Sequence, residues 1–341
     1  MRRVTEHSSC HVDNRATCLC SISSISTFTQ ISRPLHRLFI FPTHNIRMRC
    51  DLHVHSKTSG MFNLPGLKHL CQECYSEPLE VYDLLKQRGM SAVTITDHDS
   101  IEGSQALRSR PDFFLSEEVT VRMPSGTEAH LGVYHLHERD HLEIQRRAKD
   151  FVSLLMYLTE RKLFFSVNHV FSGLTGRRAA EDFAWFESYV PAYEVRNGQM
   201  WRKTNESATR LAARLGKIAV AGSDAHALAG VGLTYTEVPG ARTADEFFAG
   251  LRAGWGRVAG NHGSYGRITA DVFSIIALFF GDKPWTSMFA PIVPLVPLFS
   301  ALHWLNEIRF CRKWTAAMEN GAPRKRMLWD MDPSFEANWA S

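Results

Sequence analysis

The sequence predicts an α/β protein built from βα units around a parallel sheet, and three observations carry that prediction. From about residue 48 to about residue 265, short apolar runs alternate with stretches of helical spacing. Polar residues recur at the ends of those runs, the edge on which parallel α/β folds build their chemistry. A chain of 341 residues also has room for one large α/β barrel as readily as for two small domains.

Taken in order, the first strand begins near Met48 and runs into "DLHVHS" (51–56). "SEPLEVYDLLKQRG" reads as a helix, with Ser76 as N-cap, apolar residues at 79, 81, 82, 84 and 85, and a stop at Gly89. The apolar runs 91–96, 163–167, 193–195 and 217–222 read as strands, with helices such as 205–215 between them. "TADE", Thr243 to Glu246, is a capping box opening another helix. The tail differs: 272–280 and 288–305 are strongly apolar, and Pro291, Pro294 and Pro297 stand inside the second run. Its length reaches the lower limit for a membrane span, but prolines at three-residue spacing are poor for a regular helix. The tail is therefore read as helices packed on the body or on a partner, or as peripheral membrane contact through residues 272–305.

Residues 1–47 are rich in Ser, Arg and Thr and lack periodicity, so they are set apart as an extension resembling a transit segment, with Met48 as the preferred start. The expected organisation is then 1–47, a catalytic unit over 48–265 and an apolar helical tail over 266–341. The formal net charge of +4 comes from the extension alone, and the remaining 33 basic and 33 acidic side chains cancel. Such a neutral body offers no clustered basic face for duplex nucleic acid, while mononucleotides stay open. Seven cysteines without framework spacing suit a reducing compartment, and a cytoplasmic protein is expected, with membrane association an alternative through the tail. "CQEC" (71–74) is half of a zinc motif with no second half, or a loop with two free thiols.

His53 and His55 are two positions apart on extended chain, so both side chains point the same way and can grip one cation. Further along, "TDHDS" supplies Asp97, His98 and Asp99; "SEEVT" supplies Glu117 and Glu118; and "TEAHLGVYHL" supplies His130. "SVNHV" adds His169, and "AGSDAH" adds Asp224 and His226. One histidine at a strand end is ordinarily a hydrogen-bonded core or surface residue. Six of them, accompanied by carboxylates at strand ends, form a metal cluster that suits Zn²⁺, Mn²⁺ or Fe²⁺ better than Mg²⁺ or Ca²⁺.

The ordered set "DLHVHS", "TDHDS", "EEVT", "AHLGVY", "NHV", "EVRNG", "GSDAH" resembles the PHP (polymerase and histidinol phosphatase) metal-dependent phosphoesterases over about residues 49–262. The resemblance implies a distorted (βα)7 TIM-like barrel with two or three divalent ions at the carboxyl ends of its strands. It also implies that His53, His55, Glu118 and Asp224 hold a first ion, His98 and His226 a second, and Glu118, His130 and His169 a third. This chain departs from the family pattern after its first motif. Where many members place another His or Asp, "SKTSG" offers Lys57, Thr58 and Ser59, which leaves His69, Cys71 or Asp99 as substitutes. "NHV" also replaces the commoner His-Pro pair.

Clustered divalent ions lower the pKa of water, giving hydroxide at neutral pH, and neutralise charge on a phosphoryl group in flight. The expected function is hydrolysis of a small phosphorylated substrate. Arg196, Arg202 and Lys57 are the candidate phosphate-binding cations, and Asn197 with Gly198 would shape the turn beside Arg196. A salt bridge is the alternative use of Arg196. Asp97 or Asp99 would orient an imidazole or pass a proton to the leaving group, and Asp51 would orient His53. The competing readings are a nucleotide phosphatase or nuclease of the same family, a metal-binding module without catalysis, and an amidohydrolase. The filled ligand positions argue against the second, and the lack of a mid-chain bridging lysine argues against the third.

Overall fold

The computed structural model describes residues 46–60 and 70–319; the predicted extension before residue 46 and the candidate ligand His69 lie outside them. The strands are β1 (Arg47–Cys50), β2 (Ser116–Arg122), β3 (Glu128–Tyr134), β4 (Phe164–Val167), β5 (Ala192–Asn197), β6 (Ile218–Gly222), β7 (Thr234–Pro239) and β8 (Arg257–Gly260). The helices are α1 (Pro78–Gln87), α2 (Glu138–Arg147), α3 (Phe151–Glu160), α4 (Ala180–Tyr189), α5 (Arg202–Leu215), α6 (Ala244–Arg252), α7 (Tyr265–Asp282) and α8 (Val296–Glu319). The fold is mixed α/β.

The ladders make two sheets, ordered β1-β7-β8 and β2-β3-β4-β5-β6, and only β4-β5-β6 run parallel. The other pairings are antiparallel, unlike the all-parallel reading of the sequence. The reason is local for β2 and β3, whose link "MPSGT" (123–127) is too short for a crossover and closes as a turn with Gly126 at φ +82. The run 91–96 forms no ladder: Val93 makes one isolated bridge to Phe113, and Thr96 N–H donates to Val54 O. Helix α1 is capped by Glu77 rather than Ser76, because Pro78 takes the first helical position, where its fixed φ suits the helix and its missing N–H costs nothing. Thr243 does cap α6, its hydroxyl accepting from Glu246 N–H at 3.2 Å.

The largest core lies between the five-stranded sheet and helices α2 to α5, where Val119, Leu131, Phe165 and Val167 join Ile144, Leu154, Phe183 and Leu211. Cys311 and Trp314 of α8 belong to the same core. In the tail, Pro291 and Pro294 fall in a 3-10 segment over Pro284–Leu295, and Pro297 sits in the first turn of α8, where no helical hydrogen bond is lost. Helix α8 buries Val296, Ser300, Glu307, Cys311 and Trp314 and exposes Leu298, Phe299, Leu302 and Leu305. By length and composition alone, residues 284–319 could cross a membrane.

Candidate metal centre

The first motif continues β1 beyond its ladder and lies beside the end of β6. Asp224 N–H donates to His53 O (2.6 Å), His55 N–H donates to Ala225 O (3.2 Å), and Val54 bridges Ala225 in parallel. This close approach needs a glycine at the end of β6, since a Cβ on Gly222 would sit 2.3 Å from both Cβ and N of His53. His98 and Glu118 are joined by another isolated parallel bridge, while His130 comes from β3 and His169 from the turn after β4. Asp99, His169 and Asp224 all hold positive φ, a strained conformation for residues with a Cβ and one that clusters at functional sites.

All eight residues expected as ligands meet. The groups His53/His55/Asp224, His53/Glu118/His169, His98/Glu118/His130 and His55/His98/His226 each place one donor atom per residue within 4.8 Å of the others. His53 Nε2 and His55 Nε2 are 3.1 Å apart, and both lie 3.4 Å from Asp224 Oδ1. Glu118 reaches five imidazoles: His53 at 3.1 Å, His98 at 3.1 Å, His130 and His169 at 3.4 Å, and His55 at 3.5 Å. Two donors each about 2.1 Å from one ion at a tetrahedral angle stand about 3.4 Å apart, so these separations fit shared cations. Glu118 Oε2, His98 Nδ1 and His130 Nδ1 are moreover buried without a hydrogen-bond partner. Native interiors seldom tolerate such orphans unless an ion or water satisfies them. The donor set thus fits divalent metal, and Glu118 is its hub.

Several supporting residues escape a sequence reading. Glu194 Oε1 accepts from His53 Nδ1 (2.9 Å), which leaves the Nε2 lone pair facing the cluster. Glu194 Oε2 accepts from His169 N–H and from Asn197 Nδ2, both at 2.9 Å. Ser59 Oγ lies 2.8 Å from His55 Nδ1, and Asn168 Nδ2 donates to Glu118 Oε1 at 2.8 Å. Asp51, which the sequence did offer as a partner of His53, is buried behind the motif and accepts from the backbone N–H groups of His53, Ser223 and Gly232 rather than from an imidazole. Because partners of this kind set imidazole orientation, Glu194→Gln is expected to weaken metal affinity 10- to 100-fold, roughly, measured by chelator competition.

The remaining candidates are engaged differently. Asp97 is buried and accepts from Ser56 N–H, Ser56 Oγ and Thr58 Oγ1, so it ties down the loop after the first motif. Asp99 Oδ1 accepts from Thr120 N–H (2.8 Å). Asn197 is buried and donates to Glu194 and Asp224, supporting the cluster from behind. Strand period alone would set Arg196 on the same side as Glu194, but a register shift between them breaks that alternation, and Arg196 donates to Gly260 O (3.2 Å). Arg202 pairs with Glu206 and Lys57 with Glu77. Cys71 and Cys74 are buried, and neither joins a ligand group among the described residues.

Electrostatics follow from packing two carboxylates among six imidazoles. Burial alone would raise the Glu118 carboxyl, but His53, His130 and His98 outweigh it and hold it well below the usual range. Asp224 is lowered in the same way, burial being overcome by His53, His55 and His226. Burial lowers His98 well below the ordinary imidazole value, more than Glu118 restores. Burial and the charge of His226 likewise lower His55. Two imidazoles shift the other way: burial opposes it, but Asp224, Glu118 and Glu194 raise His53 well above the ordinary imidazole value, and Glu118 raises His169. A cation binding there would displace those protons.

Residues 202–255, which span α5, β6 with Asp224 and His226, β7 and α6, match the PHP-associated family model, PHP_C. Over that segment the chain is similar to the PHP-associated family. A curated relative, MJ1587, an uncharacterized protein of Methanocaldococcus jannaschii, is 32% identical over 81 residues, which are 24% of this chain and 43% of that protein. The chain thus spans less than half of that relative. A two-domain Bacteroides vulgatus protein containing a predicted PHP-like metal-dependent phosphoesterase aligns at TM-score 0.49 and 16% identity, over 63% of this chain and 65% of its own. PsfC from Pseudomonas syringae aligns at TM-score 0.48 and 17% identity, over 68% and 99%. The lesion-specific endonuclease PfuEndoQ from Pyrococcus furiosus aligns at 0.44 and 14%, over 62% and 58%.

Proposed function

We propose that this protein is a metal-dependent phosphoesterase of the PHP type acting on a small phosphorylated substrate, with two or three divalent ions held by His53, His55, His98, Glu118, His130, His169, Asp224 and His226. The observation that carries the reading is the convergence of these eight side chains at ligand-to-ligand spacing around buried atoms that lack hydrogen-bond partners. Zn²⁺, Mn²⁺ and Fe²⁺ suit a shell of imidazoles and carboxylates. Bound there, such ions supply an acidified water and counter-charge for a transferring phosphoryl group.

The chain's own residues supply position and proton control. Glu194 fixes the tautomer of His53, Ser59 steadies His55, and Asn168 and Asn197 hold the two carboxylates in place. Arg196, at the end of β5, is the first cation to consider for the substrate phosphate, and Asp99, between His98 and the Thr120 amide, for a proton. The same reading takes the two sheets, with the Val54–Ala225 and His98–Glu118 bridges, as a distorted barrel of the PHP type, with residues 48–265 as the catalytic unit.

Metal analysis of the purified chain, followed by phosphate release from panels of phosphomonoesters and diesters with added Mn²⁺ or Zn²⁺, tests this. Release by the wild type is expected, together with a fall of at least about 100-fold in His55→Ala, which removes a direct donor where even outer partners are worth 10- to 100-fold. Silence of a metal-loaded wild type across both ester classes would leave a binding module without catalysis.

A further inference from the structure

The four ligand groups differ in charge. Three of them contain Glu118 or Asp224, whereas His55, His98 and His226 bring three imidazoles and no carboxylate of their own. Asp224 Oδ1 lies 3.4 Å from His55 and 3.7 Å from His226, but it is already a member of another group. A divalent ion held by neutral donors alone keeps more of its charge than one with a carboxylate in its shell, and a further anion would stabilise it. The loop after the first motif does not provide one, since "SKTSG" offers no acid.

An acid does arrive from another stretch. Glu73 Oε2 lies 3.6 Å from the outer nitrogen of His98, Nε2, and both side chains are about one-fifth exposed (21% and 19%). This gap exceeds a normal N–H···O hydrogen bond but is close to the spacing of two donors on one ion, and Glu73, which stands outside the four ligand groups, would turn further inward to join the one containing His98 and His226. His98 is the sole ion-pair partner of Glu73 among the described residues. The backbone around Glu73 is stitched along the first motif at three points. Glu73 N–H donates to Gly60 O (3.2 Å), Cys74 Sγ–H to His55 O (3.5 Å), and Lys57 N–H to Ser76 O (2.9 Å). Lys283, at the end of α7, donates to Leu70 O (2.7 Å) and fastens the same stretch from outside.

From this arrangement we infer that Glu73 is a direct ligand of the ion shared by His98 and His226, supplying a carboxylate to the one group that has none of its own. "CQEC" then matters through its glutamate. Its cysteines instead hold the backbone that presents that carboxylate. The inference rests on the metal-dependent reading of the site, but not on phosphate chemistry.

The test counts metal. Full-length wild type, Glu73→Gln and Glu73→Ala are titrated with Mn²⁺, and bound metal is measured by equilibrium dialysis with elemental analysis; far-UV circular dichroism confirms equal folding. Glu73→Gln preserves side-chain shape while removing the charge, which guards against a packing artefact. Each variant is expected to lose one bound equivalent per chain, or to weaken its weakest site at least about tenfold, with the other equivalents unchanged. Identical stoichiometry and affinity in wild type and both variants would overturn the assignment. So would loss of all metal together, which would mark Glu73 as structural. A wild type that binds metal yet hydrolyses no ester would sink the phosphoesterase reading alone, leaving Glu73 to be judged by the count. A wild type that binds no metal would sink both.

Discussion

Glu118→Gln is expected to strip the protein of most of its metal and to lower phosphate release by more than about 100-fold, beyond the 10- to 100-fold typical of residues that only touch ligands. The reason is its reach. One carboxylate on β2 stands within 3.5 Å of nitrogens from His53, His55, His98, His130 and His169, and two of the four ligand groups include it. The amide is nearly isosteric, so the change isolates charge from shape. It also turns a pure acceptor into a group that must donate, whereas Asn168 Nδ2 already donates to Oε1 and the imidazoles crowd Oε2. An ion facing those histidines would lose its anionic partner in a fully buried site, where an uncompensated charge is most expensive. Elemental analysis after dialysis and the rate of phosphate release read the outcome together. Full metal content with an unchanged rate would mean that the hub lies elsewhere.

The candidate ligands were legible in the sequence because their chemistry is local. Paired polar residues where apolar runs end, such as His53 with His55 and Asp224 with His226, mark themselves by residue type and by the two-residue period of extended chain. What supports them was not legible, because it depends on contacts between distant stretches. Glu194 is 141 residues from His53 in sequence and 2.9 Å from it in space. Its one local clue was a carboxylate set between Tyr193 and Val195 in a short apolar run. Arg196 is a different case: its place at a strand end made it a candidate, whereas the register shift between Glu194 and Arg196 has no mark in the sequence. Strand direction was misjudged where a turn signal, "PSG" before β3, was outweighed by the expectation of helical crossovers. Glu73 lay hidden because its motif drew attention to cysteines.

Deleting residues 266–341 is expected to yield a chain that fails to fold or precipitates, although those residues follow the last strand and contribute no ligand among the described residues. The inner stripe of α8 is core. Trp314 is 7% exposed, stands 5.3 Å from the Phe183 ring and joins Cys311 in the largest apolar cluster. Polar ties run along the same path. The Glu307 carboxylate accepts from Gly173 N–H, Gln199 Nε2 donates to Asp271, and Arg267 donates to Gly230 O. A milder variant gives the magnitude: Trp314→Ala should cost about 3–5 kcal/mol, as large-to-small changes of buried aromatics do. That is a large share of a typical stability of about 5–15 kcal/mol, and it should lower the midpoint of a thermal melt by roughly 10 °C. Leu302→Ser on the exposed side of the same helix touches none of this and should stay within about 0.5 kcal/mol. The contrast separates the two faces of α8: a large loss at Trp314 with none at Leu302 makes the tail part of the body that carries the metal centre. Equal, small losses at both positions would instead mean that α8 contributes little to the core.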